Sequence, residues 1–233
     1  AFHEVCRRVV HEVKKMLFET QSGVPGYEIV NRLLPDANRI ADEAVTEAEG
    51  RTTKLSPKDR RTLVEETASL YKFLVIQAAA KVDQALSKYT HATSDSIINV
   101  AIPPVIERKV DGSLVGLSRE LSVDIYTPYN AVADLKTGEV RSFHPYTVTG
   151  YALALEAEDN IPVNYGIITY VKVIKSVPRF KIKCFVIGNE LRREFLELRE
   201  EAYTILEVGR DPGRPSRCPR YCPYYPVCVE GEA

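Results

Sequence analysis

The chain has 233 residues, 45% of them hydrophobic and 27% charged, an ordinary globular composition long enough to bury a full core. Its formal net charge is -1, so the total charge gives no sign of nucleic-acid binding, and any such surface must come from local clustering. No apolar run approaches the roughly 18 to 20 residues that a membrane span needs, and no secretory signal pattern opens the chain, which reads as soluble, intracellular and cytoplasmic.

Residues 2 to 20 place Phe2, Val5, Val9, Val13, Met16 and Leu17 three or four apart, predicting a helix with one buried stripe that Gln21, Ser22 and Gly23 end. The stretch is already helix-like at Ala1, which leaves room for residues upstream. A second helix is predicted over about 28 to 48. Ser56, Pro57 and Asp59 then read as N-cap, first-turn proline and first-turn acid of a long helix reaching about Lys88. After Thr93 the pattern changes to short β-branched runs: Ile97 to Ile102, Ser113 to Leu117, Leu121 to Tyr126, Ala131 to Lys136 and Glu139 to Ser142, with a hairpin turn at Lys136 to Glu139. A helix over about 145 to 158, strands at 166 to 174 and 180 to 187, and a helix over about 190 to 206 complete a mixed α/β domain around one sheet. The expected division is a mainly helical region (1–92), a sheet-containing core (93–209) and a C-terminal cysteine element (210–233).

Leu121 to Tyr126 and Ala131 to Lys136 carry one acid each, Asp124 and Asp134, joined by Thr127, Pro128, Tyr129 and Asn130. Pairing of these strands brings the two carboxylates together. Alternate strand side chains share a face, so Asp134 and Lys136 point the same way while Leu135 enters the core. Phosphodiester cleavage uses this combination: hard cations such as Mg²⁺ or Mn²⁺ take carboxylate oxygens, and a lysine orients water or meets developing charge. The acids adjoin Val123, Val132, Ala133 and Leu135, where an uncompensated charge is costly and a metal would resolve the cost. An Asp-x-Lys triplet alone is more often a solvated strand face, and the second acid at hairpin distance raises its meaning.

Three of the five cysteines, Cys218, Cys222 and Cys228, form a C-x3-C-x5-C run rich in proline and tyrosine, good soft-metal ligands in a segment ill suited to a core. The odd count and the intracellular reading disfavour a disulfide framework, while zinc and an iron–sulfur cluster both suit the spacing. Cys184 reads as a buried strand residue and Cys6 as a possible further ligand. Arg192, Arg193, Arg199, Arg210, Arg214, Arg217 and Arg220 crowd one stretch. Interleaved glutamates make the first three compatible with a solvated helix face, whereas Arg210, Arg214, Arg217 and Arg220, where acids thin out, are the candidate DNA-binding residues.

An acid, then about ten residues, then acid-x-Lys, with an early helical histidine and a following helix carrying Tyr151, resembles the PD-(D/E)xK nucleases of the RecB branch. With the cysteines added, the chain resembles the iron–sulfur CRISPR-associated exonucleases that act in spacer acquisition, in particular the archaeal type I-A variant. The resemblance implies a restriction-endonuclease-like sheet core and a DNA exonuclease acting on single-stranded ends beside the CRISPR integrase proteins. It implies Mg or Mn held by His3, Asp124, Asp134 and the Leu135 backbone carbonyl, with Asp124, Asp134, Lys136 and Tyr151 catalytic. It also implies a cluster, 4Fe-4S before 2Fe-2S, on Cys218, Cys222 and Cys228, the fourth ligand lying upstream of Ala1 or at Cys6. His11 competes with His3, but Arg7 stands where the motif wants glycine, and eight helical residues put His11 about 12 Å further along. Thr147 departs from the family's glutamine and Leu121 from its glycine, so a DNA-binding or assembly subunit with weak or no nuclease activity, and a related repair nuclease, are the rival readings.

Overall fold

The computed structural model describes residues 1–20, 23–51, 55–89, 93–102, 105–127, 130–210, 213, 225, 227 and 228, with no side-chain description at 51, 105 and 106. Five helices precede one five-stranded sheet: α1 (Phe2–Glu19), α2 (Gly26–Leu33), α3 (Ala37–Arg51), α4 (Pro57–Lys88) and α5 (Ser94–Ala101). The sheet runs β1 (Val105–Val110), β2 (Leu121–Thr127), β3 (Ala131–Thr137), β4 (Tyr165–Ile174) and β5 (Val177–Val186) in that spatial order. Every neighbouring pair is antiparallel except β3 and β4, which are parallel. Parallel neighbours need a crossover, and α6 (His144–Asp159) supplies it; α7 (Asn189–Val208) follows the sheet. This is the mixed α/β class that the sequence predicts.

The sheet separates two cores. On one face α1, α2, α4 and α5 pack together with Leu135, Val171 and Val173. On the other, Val148, Ala152 and Leu155 of α6 meet Val110, Val123, Val132, Ile168 and Tyr170. The stripe of α1 is buried as its spacing requires. α4 starts where its signals lie, with the Ser56 side chain accepting from Asp59 N–H at 3.2 Å. α2 approaches α4 so closely that Gly26 N–H donates to Asp83 at 2.6 Å.

Several expectations fail for physical reasons. Residues 97 to 102 are not a strand: Thr93 caps α5, and Ile97, Ile98 and Ala101 are buried at helical spacing, so packing overrides the β-branched preference. The helix predicted over 28 to 48 is broken by a 3-10 turn, Leu34–Asp36, around Pro35. Ser113–Val115 is a 3-10 turn, and residues 139 to 142 carry no strand, because β3 leads into the α6 crossover and makes no hairpin at Lys136 to Glu139. The sequence reading misses β1. Cys184 is exposed on the edge strand β5, correcting its reading as a buried residue. Cys218, Cys222, Arg214, Arg217 and Arg220 lie outside the described residues. None of the helices among the described residues is long and apolar enough to cross a membrane.

Candidate active site

The β2–β3 ladder pairs Thr127 with Ala131, Tyr126 with Val132 and Ile125 with Ala133, and stops there. Just beyond, the Leu135 N–H donates 2.7 Å to Asp124 Oδ2 instead of to a backbone carbonyl. Strand alternation also slips at this point: Val123 and Tyr126 both pack on the α6 side, whereas Ile125 lines a cleft with α1. On β1, Glu107 adopts a left-handed φ of 48° between the residues paired with Val123 and Ile125. Such a one-residue irregularity re-aims a side chain. Here it turns Asp124 towards α1, where His3 Nδ1 lies 3.5 Å from Asp124 Oδ2.

Asp134 occupies the α6 face of β3 and is only 3% exposed. Lys136, two residues on, reaches back so that its Nζ lies 2.8 Å from Asp134 Oδ2. This close ionic contact is the main compensation for the buried carboxylate. Burial pushes the Asp134 carboxyl up to about 6; Lys136 opposes that rise and the Asp124 charge adds to it. Asp134 is thus a buried carboxylate whose charge burial opposes and Lys136 partly compensates.

Tyr151, half-buried on α6, has its phenol pushed up to about 12 by burial first and then by the charges of Asp134 and Asp124. It faces the acid pair as a neutral hydroxyl. Cys6, one turn from His3, lines the same cleft, and burial together with Asp124 pushes its thiol up to about 12. That environment disfavours the thiolate a cluster needs. His11 is exposed two turns further along α1. The structure therefore brings His3, Asp124, Asp134, Lys136 and Tyr151 around one locus and leaves His11 outside it. Arg210 follows α7 and lines a separate groove with Glu201, Thr204, Ile205 and Val208.

Two residues that the sequence reading does not single out also belong here. Glu107 lines the cleft with His3 and Asp124, its carboxylate 3.6 Å from Arg7 Nε. His144, at the start of α6, is buried with Nδ1 3.0 Å from the Tyr170 hydroxyl. Burial, then the charges of Lys136 and Arg141, lower its pKa, so it stands beside Lys136 as a neutral imidazole. A histidine immediately before Pro145 at a predicted helix start was the available signal for it.

The side chains at the locus offer two carboxylates and an imidazole, donors of the kind a hard divalent cation takes. Among the described residues no three His, Cys, Asp or Glu side chains close to coordinating geometry.

Two acids and a lysine on adjacent strands of a mixed sheet, below a helical N-terminal region, are the arrangement that the resemblance to RecB-type nucleases leads one to expect. The chain belongs to the family of the CRISPR-associated exonuclease Csa1, whose family model matches residues 1–231. It is 38% identical over 151 residues to the CRISPR-associated exonuclease Csa1 of Saccharolobus solfataricus, covering 64% of this chain and 52% of that protein. To the Csa1 of Thermoproteus tenax it is 31% identical over 172 residues, covering 74% and 59% respectively. The chain spans little more than half the length of these curated relatives. A solved structure from Eubacterium rectale, whose exonuclease assignment is itself provisional, is 16% identical with a TM-score of 0.39, covering 71% of this chain and 62% of that one. That likeness is too distant to inform the fold.

Proposed function

We propose that this protein is a Mg- or Mn-dependent DNA exonuclease that processes single-stranded ends for CRISPR spacer acquisition, beside the integrase proteins. The observation that carries the reading is the convergence of Asp124, Asp134 and Lys136 at an opened ladder, with the Asp134 carboxylate buried against the Lys136 ammonium. Asp124, Asp134, His3 and the Leu135 carbonyl would hold the cation. Bound there, it would neutralise charge on the scissile phosphate and lower the pKa of an attacking water. Lys136 orients that water or meets charge developing on the phosphate. Tyr151, kept neutral, donates its hydroxyl towards substrate or accepts a hydrogen bond from the lysine. The C-x3-C-x5-C run of Cys218, Cys222 and Cys228 holds an iron–sulfur cluster, 4Fe-4S before 2Fe-2S, and Arg210, Arg214, Arg217 and Arg220 contribute to DNA binding.

Cleavage of single strands labelled at either end, with Mn²⁺ and with EDTA, tests the enzyme. Activity that requires Mn²⁺ and disappears in Asp124→Ala and Asp134→Ala is expected; full activity in both variants would overturn the site. Iron and acid-labile sulfide in protein purified without oxygen test the cluster, and a colourless zinc protein would remove it. Thr147, at the place of the family's glutamine, favours one second reading, a DNA-binding or assembly subunit. DNA binding without any metal-dependent cleavage would select it.

A further inference from the structure

Between Asp159 and Glu190 the chain contains no acidic residue, yet Lys172, Lys175, Arg179, Lys181 and Lys183 all fall there. They lie on the β4–β5 hairpin, and β5 is the edge of the sheet. Elsewhere the arginines are largely neutralised: Arg8 by Glu4 and Glu43, Arg60 by Asp42 and Glu49, Arg108 by Glu158 and Asp159, Arg192 by Glu156. Lys172, Arg179, Lys181 and Lys183 have no acidic partner among the described residues. A protein of net charge -1 thus keeps a concentration of uncompensated positive charge on one strand.

Register places that charge on a particular face. Lys136 pairs across to Tyr170, and Tyr170 to Lys181. Asp134 pairs to Ile168, and Ile168 to Lys183. Lys172 pairs to Arg179. Ile168 and Tyr170 pack on the α6 side with Val132, so Arg179, Lys181 and Lys183 project from the same face as Asp134 and Lys136. At strand spacing, Lys181 stands about 10 Å from Lys136.

Edge lysines also guard sheets against unwanted pairing. Guarding alone does not fit this strand, because its opposite face leaves Ile182 62% and Val186 66% exposed. The charge is confined to the face that carries Asp134 and Lys136.

We propose that Arg179, Lys181 and Lys183, with Lys172 at their end, form a backbone track that holds single-stranded DNA and leads it to Asp124 and Asp134. The direction of the track rests on the nuclease reading; the binding surface does not. Its chemistry is phosphate contact without base reading, so it positions the strand and carries no sequence preference. The partner is a single strand because the cations form one narrow row along an edge strand, two strands from Asp134.

The test is anisotropy of a short fluorescent single-stranded DNA in EDTA, where nothing is cleaved, across a salt series. Each phosphate contact on a single strand contributes about 0.7 to the slope of log affinity against log salt. Arg179→Gln/Lys181→Gln/Lys183→Gln is expected to lower the slope by about 2 and the affinity at low salt about tenfold or more. A matched variant on α4, Lys58→Gln/Arg61→Gln/Lys72→Gln, should leave both nearly unchanged. Equal losses in the two variants, or none in the β5 variant, would overturn the track. So would polyglutamate of matched charge displacing DNA as well as DNA itself does, which would assign the strand to an acidic protein. Should the triple variant misfold, Lys181→Gln alone must lower the slope by about 0.7. A chain that binds through β5 but never cleaves with Mn²⁺ would sink the nuclease reading and leave the track standing; normal cleavage with an unaltered β5 variant would do the reverse.

Discussion

Asp134→Asn should make the metal-free protein more stable while removing its metal site. The Asp134 carboxyl sits at about 6 against an ordinary 3.8, with burial the largest cause. Folding therefore favours its protonated form. Below about pH 3 the group is largely neutral folded and unfolded, and burial costs little extra. As the pH rises from 3.8 through about 6 the unfolded chain loses the proton first, and stability falls. At 1.36 kcal/mol per pH unit the gap comes to about 3 kcal/mol, fully developed above pH 7. Asparagine approximates the protonated carboxyl in shape and cannot ionise. Urea unfolding in EDTA should show Asp134→Asn more stable than the parent by about 2 to 3 kcal/mol at pH 7.5, shrinking to about 0.5 kcal/mol at pH 4. Mn²⁺ should then stabilise the parent and not the variant, since only the parent binds it. A variant no more stable than the parent at pH 7.5, or a gain of equal size at both pH values, would refute the reasoning.

Asp124→Ala should abolish cleavage and Mn²⁺ binding by calorimetry, whereas Lys136→Ala should abolish cleavage and keep binding, because the ammonium acts on water or phosphate and not on the cation. Gly26→Ala should cost about 1 to 3 kcal/mol in urea unfolding, since a Cβ there would lie 2.7 Å from the Ala79 carbonyl oxygen and collide with Asp83. Ser176→Gly should raise stability by about 1 kcal/mol: Lys175 and Ser176 close the β4–β5 hairpin at φ of 49° and 61°, values that glycine adopts without cost, and a loss of thermal stability would contradict this.

The parts of the fold that were legible in sequence are those where one strong signal acts alone. The stripe of α1, the cap and proline of α4 and the acid-bearing hairpin each declare themselves within a short window. Ile97 and Ile98 fail because a helix packed under the sheet buries them, a tertiary gain that outweighs their strand preference. β1 was missed because a lone pair of apolar positions around Glu107, Arg108 and Lys109 shows little alternation. The β5 cations were in plain view as an acid-free stretch, but the denser arginines after Asn189 drew the DNA-binding assignment to the C-terminus. Charge count is legible in one dimension; which sheet face receives the charge is set by β3–β4 and β4–β5 register, which no local pattern states.

The geometry of the candidate site depends on the places where the regular sheet breaks down. A continued β2–β3 ladder would pair Asp124 with Asp134 as ordinary strand neighbours and give the Leu135 N–H a carbonyl. Instead the ladder opens, the amide is satisfied by Asp124 itself, and Glu107 opposite takes a left-handed backbone. Sparsely populated conformations of this kind cost about 1 to 3 kcal/mol each and persist only when surrounding packing enforces them. Val110, Val123 and Val132 on one side and the α1 stripe on the other provide that packing. The α1 stripe also fixes the backbone at His3, because Phe2 and Val5 are buried on either side of it. Two independent cores therefore hold the two halves of the locus, α1 with His3 and the sheet with its acids, at a seam that neither core covers. An arrangement of that kind keeps two carboxylates close and poorly solvated, compensated by the Leu135 N–H and Lys136, and a divalent cation taken up there would relieve the repulsion that remains between them.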